Sequence, residues 1–153
     1  MMIKLYTDGA TTNNGKENAF GGWAYIGVDE NKKIFIKDSG FIPNTTNNIC
    51  ELTAVINGCN AVKDKNELVV VYSDSAYIIN CYKQKWYNKW QINDWKNSKK
   101  EPVANKELWE QLIPYFDNVM FSFEKVPGHA GHVYNEMVDQ MAVQAKFIDG
   151  AKQ

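Results

Sequence analysis

Arginine is absent from this sequence of 153 residues, and cysteine and proline are scarce, with three and four copies. So little proline, together with ten glycines and 44% apolar residues, excludes collagen-like and intrinsically disordered chains. The cysteines are Cys50, Cys59 and Cys81, an odd number with no Cys-x-x-Cys pair. This pattern argues against a structural zinc site and is typical of proteins kept in a reducing compartment.

Long hydrophobic runs are absent as well. The apolar run at residues 68–72 is far shorter than the roughly 20 residues that cross a bilayer, and the N-terminal residues lack the layout of a signal peptide. We therefore expect a cytoplasmic protein with no membrane partner. The length predicts one domain over residues 1–153, large enough to bury a stable core without disulfides or a structural metal.

The charge is small in total but unevenly distributed. The formal net charge is −1, which by itself argues against a nucleic-acid partner, because nucleic-acid-binding domains are usually basic. Between Lys83 and Lys106, however, seven lysines face only Asp94 and Glu101. One segment is therefore strongly basic, and the remainder of the chain is acidic.

The spacing of apolar residues predicts the secondary structure. Alternation of apolar residues indicates strands, and recurrence every three or four positions indicates amphipathic helices. The predicted strands are residues 3–7, 22–28, 33–41, 68–72 and 119–124, and the predicted helices begin near Thr46 and Ser75, span 108–115 and span 133–148. The strand at 68–72 is expected to be buried on both faces. Strands in series, suggesting an antiparallel meander, followed by alternating strands and helices predict an α/β domain with a mixed sheet.

Four carboxylates occupy positions that suggest a shared site. Asp8 is predicted to end the first strand and Asp74 to follow the buried one, so that both lie at one sheet edge if these strands are neighbours. Glu51 lies one turn into the first helix, beside its apolar stripe, and Asp139 lies in the last helix. Converging carboxylates repel one another unless cations separate them, and oxygen ligands favour Mg²⁺ or Mn²⁺. Two such ions about 3.5–4 Å apart can hydrolyse phosphodiesters.

Each acid also has an ordinary explanation, as a turn former, a helix cap or a solvated side chain. Their joint pattern is more specific. The motifs are Thr7-Asp8-Gly9-Ala10, Thr46-Asn47-Asn48-Ile-Cys-Glu51-Leu52, Tyr72-Ser73-Asp74-Ser75-Ala76-Tyr77 and Val126-Pro-Gly-His129-Ala-Gly-His132-x-x-Asn135-Glu136-x-x-Asp139. In order and spacing they resemble type 1 ribonuclease H, in particular bacterial ribonuclease HI, from about residue 3 to about residue 147. The resemblance implies a ribonuclease H-like fold, with a five-stranded mixed sheet flanked by helices.

The resemblance also implies a catalytic centre. Asp8, Glu51, Asp74 and Asp139 match the family's four metal-binding catalytic carboxylates. By the family's mechanism, two Mg²⁺ ions, for which Mn²⁺ is a possible substitute, cut the RNA strand of an RNA–DNA hybrid and leave 5′-phosphate and 3′-hydroxyl ends. The implied cellular role is the removal of RNA primers and R-loops.

A histidine pair lies in the glycine-rich segment before the last helix. His129 matches the family's catalytic histidine, which assists proton transfer or product departure, and an imidazole is suited to that task near neutral pH. His132 is expected to be mainly structural. The alternative, zinc binding by His-x-x-His, is disfavoured because no third soft ligand lies nearby in sequence.

Contacts to the RNA strand are implied for three asparagines. Asn14, Asn47 and Asn48 match positions that hydrogen-bond the RNA strand and its base edges. Ala76 departs from the pattern, since the family commonly has glutamine there, so we expect weakened or altered substrate contacts with catalysis intact.

Contacts to the DNA strand are implied for a second set of residues. Thr46 and Asn105 match members of a pocket that grips a DNA phosphate, but Ile49 stands where relatives often have arginine. The basic segment resembles the family's DNA-carrying protrusion, represented here by Lys85, Trp86, Lys89 and Trp90. Its lysines would contact phosphates and its indole rings would pack on deoxyribose. The alternative is that Trp86 and Trp90 pack the helix onto the domain.

Three function classes follow. The first is a metal-dependent endonuclease for RNA in RNA–DNA hybrids, the second a catalytically weak or silent hybrid-binding module, and the third another nuclease of the same fold, such as a resolvase or an integrase-like enzyme. Four intact carboxylates argue against a silent module. We expect a single catalytic domain without a separate hybrid-binding domain, acting as a monomer with no obligate protein partner.

Overall fold

The computed structural model describes residues 1–126 and 133–152, with side chains of the last helix described as far as Phe147. Strands are β1 (Met2–Thr12), β2 (Phe20–Val28), β3 (Ile34–Pro43), β4 (Leu68–Ser73) and β5 (Phe121–Lys125). Helices are α1 (Asn47–Val62), α2 (Ala76–Gln84), α3 (Trp86–Ile92), α4 (Lys106–Phe116) and α5 (Val133–Lys152), and a 3₁₀ turn (Lys63–Lys65) follows α1.

The strands form one sheet in the order β3-β2-β1-β4-β5. The first three strands pair antiparallel, and β4 pairs parallel with both β1 and β5. This arrangement confirms the predicted α/β fold with a five-stranded mixed sheet. It also brings β1 and β4 side by side, although they are far apart in sequence.

Helices cover the two faces of the sheet unequally. Alternate residues of β1 enter two separate clusters, with Leu5 facing α1 and α4 and Tyr6 facing α5. The larger cluster is centred on buried residues such as Leu52, Trp109 and Phe123. Helix α5 packs mainly on β1, β2 and β3. The second face of β4 is therefore only partly covered.

This unequal cover corrects one prediction. The strand at residues 68–72 was expected to be buried on both faces, but in β4 only alternate residues, Val69, Val71 and Ser73, are buried. Leu68 is 49% exposed. An apolar run alone did not reveal that α5, on the second face of the sheet, would lie over β1, β2 and β3 rather than over β4.

Local hydrogen bonds and backbone conformation set the helix boundaries. Thr46 caps α1 by accepting a hydrogen bond from the Ile49 N–H at 3.1 Å, and Ser75 caps α2 in the same way from Ile78 at 3.2 Å. The stretch predicted to be helical from Ser75 is divided at Lys85, whose left-handed conformation (φ 55°) ends α2 before α3 begins. Within the described residues, no helix is both long and apolar enough to span a membrane.

Candidate active site

The candidate site lies where β1 extends beyond its neighbour β4. Parallel pairing between the two strands ends at Tyr6 and Tyr72, while β1 continues beside β2 as far as Thr12. Asp8 therefore lies within β1, which corrects the prediction that it ends the strand. The prediction failed because the partner of the extension, β2, could not be identified from the residues of β1 alone. Asp74 directly follows β4, so both acids border the same crevice.

Glu51 reaches this crevice from α1 and is almost completely buried, with 4% exposure. Its Oε1 accepts a hydrogen bond from the Gly9 N–H at 2.6 Å, and the same N–H is 2.9 Å from Asp8 Oδ1. Its Oε2 is buried and has no hydrogen-bond partner among the described residues. An unpartnered carboxylate oxygen in the interior is costly, so this atom fits a cation ligand.

Three carboxylates come together in this crevice. Asp8, Glu51 and Asp74 each offer an oxygen within 4.8 Å of the others. Asp139, carried by α5, lines the same cleft and interacts with Asp8. The donors are all oxygen atoms, the set that Mg²⁺ and Mn²⁺ prefer. The cleft has a volume of about 370 Å³ and is lined by Asp8, Gly9, Asn47, Asn48, Glu51, Asp74, Ser75, Ala76, Tyr77 and Asp139.

The pKa values of the buried carboxyl groups at the site reflect their burial and the closeness of other negative charges. Burial raises the pKa of Glu51 well above its ordinary value, and the charges of Asp8 and Asp74 raise it further. Burial also raises the pKa of Asp8, with an added contribution from Asp74 and Asp139, although the neighbouring Glu51 carboxyl partly opposes the shift. A divalent cation in the cleft would relieve this repulsion and favour the ionised carboxylates.

The residues expected to contact RNA lie around the start of α1. Asn47 and Asn48 line the cleft. Asn14 instead accepts a hydrogen bond through Oδ1 from the Asn47 N–H at 3.0 Å, which ties the segment after β1 to the helix. The structure therefore brings all three asparagines to one side of the carboxylates.

The residues expected to contact a DNA phosphate lie on two elements. Thr46 is the N-cap of α1, so its hydroxyl oxygen also has a structural use. Asn105 precedes α4 in the left-handed conformation (φ 62°), and its Nδ2 lies 3.5 Å from the Tyr77 hydroxyl. Tyr77 also accepts a hydrogen bond from the buried Trp109 indole at 3.0 Å. Sequence reasoning noted Tyr77 only as the last residue of the motif that begins at Tyr72 and missed it as a cleft residue.

The basic segment presents its lysines and buries part of its aromatic surface. Lys85 and Lys89 are exposed, and the described part of the chain contains a single ion pair, between Lys83 and Glu124 at 3.3 Å. The Trp90 ring lies 5.4 Å from the ring of buried Trp109, so Trp90 packs α3 onto the domain.

Its neighbour Trp86 is half-buried 6.4 Å from the Trp90 ring and donates an indole hydrogen bond to Gln84 at 2.9 Å. The packing alternative therefore accounts well for Trp90 and partly for Trp86.

Two predicted histidines and one overlooked asparagine remain. His129 and His132 fall at residues 127–132, outside the described residues. Asn135 was noted only as part of a motif, yet its Oδ1 is buried and lacks a partner among the residues described. It lines a smaller cleft of about 210 Å³ beside Asp8 and Asp139.

Comparison with known proteins gives a consistent family. The family profile described as RNase H matches residues 2–147. The chain is 43% identical over 143 residues to the ribonuclease H of Thermoanaerobacter sp. (strain X514), covering 94% of this chain and 88% of that relative. It is 44% identical to the ribonuclease H of Caldicellulosiruptor saccharolyticus, covering 92% of each. Its fold matches the crystal structure of LC11-RNase H1 in complex with RNA/DNA hybrid, with a TM-score of 0.67, 22% identity and coverage of 99% of each chain.

Proposed function

The chain belongs to the ribonuclease H family of metal-dependent nucleases, which cleave the RNA strand of RNA–DNA hybrids, and we propose that Asp8, Glu51, Asp74 and Asp139 are its metal ligands. The observation that carries this proposal is the buried, unpartnered Oε2 of Glu51 beside two further carboxylates. A silent binding module would have no use for such a destabilising arrangement, because the repulsion is relieved only when cations bind.

The cofactor in this proposal is a pair of Mg²⁺ ions, with Mn²⁺ as a substitute. When bound, two divalent ions supply the positive charge that activates a water and stabilises the leaving 3′ oxygen, so that the products carry 5′-phosphate and 3′-hydroxyl ends. The chain's own contribution is to hold the carboxylates in place. Gly9 does so for Glu51 through its backbone N–H. His129 is proposed to move a proton near the leaving group, which suits an imidazole near neutral pH.

Recognition of the hybrid is assigned to two sets of residues around the cleft. We propose that Asn47 and Asn48 contact the RNA strand from the start of α1, and that Asn14 supports them by fixing the Asn47 backbone. Such contacts can test for 2′-hydroxyls, which distinguish RNA from DNA. Position 49 is isoleucine rather than arginine, so this position cannot make a bidentate contact to a phosphate of the DNA strand.

The DNA strand is assigned to a second set of residues, which lie at or near the starts of α1, α3 and α4. Thr46 and Asn105 are proposed to hold a DNA phosphate, while Lys85 and Lys89 attract the backbone further along the strand. Trp86 is proposed to pack on deoxyribose, since part of its ring is exposed. Trp90 contributes to this surface mainly by anchoring α3 to the buried Trp109.

At the level of the cell, we propose that the protein removes RNA primers and R-loops in the cytoplasm. It would act as a monomer with one catalytic domain and without an obligate protein partner. The removal of primers and R-loops follows from the substrate class, because a primer on its template and an R-loop both contain RNA paired to DNA.

The decisive experiment compares one labelled sequence prepared as RNA–DNA hybrid, RNA duplex, DNA duplex and single strand. Each substrate is incubated with Mg²⁺ and with EDTA, and the Asp74→Asn variant serves as the matched control. We expect cleavage of the hybrid alone, with Mg²⁺ alone and only by the unmodified protein. Binding of the hybrid without cleavage would favour the silent module, and cutting of DNA duplex would favour another nuclease of this fold.

A further inference from the structure

Gly9 lies where α1 approaches β1 so closely that a side chain has no room. A Cβ atom built on Gly9 would lie 2.7 Å from the carbonyl carbon of Cys50 and 2.7 Å from the amide nitrogen of Glu51. Both are backbone atoms, which cannot rotate away as the end of a flexible side chain can. The missing side chain thus permits the 2.6 Å hydrogen bond between the Gly9 N–H and Glu51 Oε1.

Gly22 has the corresponding position on the opposite face. It belongs to β2, and a Cβ there would collide with the carbonyl oxygen of Ala142 and lie 2.8 Å from the amide nitrogen of Lys146, both in α5. Ala142 is one helical turn after Asp139. Any displacement of α5 at Gly22 would therefore also move the Asp139 carboxylate relative to Asp8.

We propose that Gly9 and Gly22 are positioning residues, which set the distances of α1 and α5 from the sheet and thereby hold Glu51 and Asp139 at a spacing that divalent ions require. The two helices carry one carboxylate each and lie on opposite faces, so each glycine controls one side of the site. This inference rests on the proposed function of the carboxylates as metal ligands.

The displacement of α1 expected from Gly9→Ala is large compared with the tolerance of metal–ligand distances. An ordinary contact of a Cβ atom is 3.4 Å or more, so Gly9→Ala forces α1 away by about 0.7 Å. Metal–ligand distances tolerate changes of only about 0.2 Å. A misplacement of about 1 Å can reduce the rate of a catalysed reaction about 100-fold. Glu51 would also lose its hydrogen bond to the Gly9 N–H.

The test compares Gly9→Ala and Gly22→Ala with the wild type. Calorimetry measures Mg²⁺ and Mn²⁺ binding without substrate, and steady-state kinetics with the hybrid measure kcat and KM separately. Circular dichroism and thermal unfolding report whether each variant is folded. We expect each variant to bind the ions at least about tenfold more weakly and to lose about 100-fold in kcat, with a much smaller change in KM.

Gly27→Ala provides the matched control. Gly27 lies in β2 like Gly22, and its Cβ would also be crowded, 2.7 Å from Ile36, but the atoms nearest to it are all in side chains of β3, which can move aside. Its substitution is expected to lower stability without weakening ion binding. If Gly9→Ala and Gly22→Ala bind ions and turn over like Gly27→Ala, the proposal is overturned, since their effect is then only structural.

Cys50→Ala provides a second test in case Gly9→Ala or Gly22→Ala does not fold. Its buried Sγ lies 3.7 Å from the hydroxyls of Thr11 and Thr45, so its removal loosens the same end of α1 without a clash. Several-fold weaker ion binding supports the proposal, and unchanged affinity overturns it. A wild type that fails to cleave the hybrid contradicts the proposed function itself, whereas an active wild type with unaffected variants overturns only the positioning role.

Discussion

Replacing Glu51 by glutamine should make the metal-free protein more stable while abolishing its activity. The glutamine oxygen can still accept the hydrogen bond from Gly9, so the change removes the ionisable carboxyl group and little else. Above pH 4.5 that group destabilises the fold, because burial and the neighbouring Asp8 and Asp74 raise its pKa in the folded state, whereas in the unfolded chain it ionises freely. One pKa unit corresponds to about 1.4 kcal/mol.

The sign and the size of this effect depend on pH. A carboxyl group with a raised folded-state pKa stabilises the fold fully below its unfolded value of 4.5, and this contribution is lost as the pH rises toward the folded value. Allowing for relaxation and solvent at the cleft, we expect the variant to gain about 2 kcal/mol near pH 8 in EDTA, or about 5 °C in Tm. Near pH 4 the two proteins should unfold at similar temperatures.

Thermal unfolding of the wild type and Glu51→Gln, with and without Mg²⁺, tests this prediction. Mg²⁺ should raise the Tm of the wild type by binding to the folded state, and it should raise that of Glu51→Gln much less. Glu110→Gln, an exposed change on α4, is the control and should leave both curves unaltered. The reasoning is refuted if Glu51→Gln in EDTA near pH 8 is no more stable than the wild type.

Three further predictions concern the rest of the site. Asp74→Asn should abolish Mg²⁺-dependent hybrid cleavage and leave the fold intact, since Asp74 is exposed; near-normal turnover would contradict its role as a ligand. Changing Lys85 and Lys89 together to alanine should weaken hybrid binding and reduce the slope of log affinity against log salt by about two at most, and an unchanged slope would exclude this surface as the DNA contact. Trp90→Ala should cost about 2 kcal/mol in urea unfolding, because its half-buried ring packs on buried Trp109, and a loss below about 0.5 kcal/mol would show that the ring is not an anchor.

Much of the fold could be predicted because its signals are local. Apolar spacing and capping residues such as Thr46 and Ser75 report on neighbours three or four positions away, and the elements that they predict are present. The errors arose where distant elements decide the outcome. Asp8 lies inside a strand because β2 supports the extension of β1, and β4 is half-covered because α5 lies over other strands.

The sequence by itself determined the order of the elements, the family resemblance and the chemistry of the proposed metal ligands, which are carboxylates. It also determined that arginine is absent from the chain. Only the tertiary structure decided which oxygens approach within 4.8 Å, that Glu51 Oε2 is buried without a partner among the described residues, and that Trp90 packs on Trp109. The physical reason is distance along the chain. The hydrogen bond between Gly9 and Glu51 joins residues 42 positions apart. Whether the backbones of β1 and α1 can approach so closely depends on packing rather than on any local pattern.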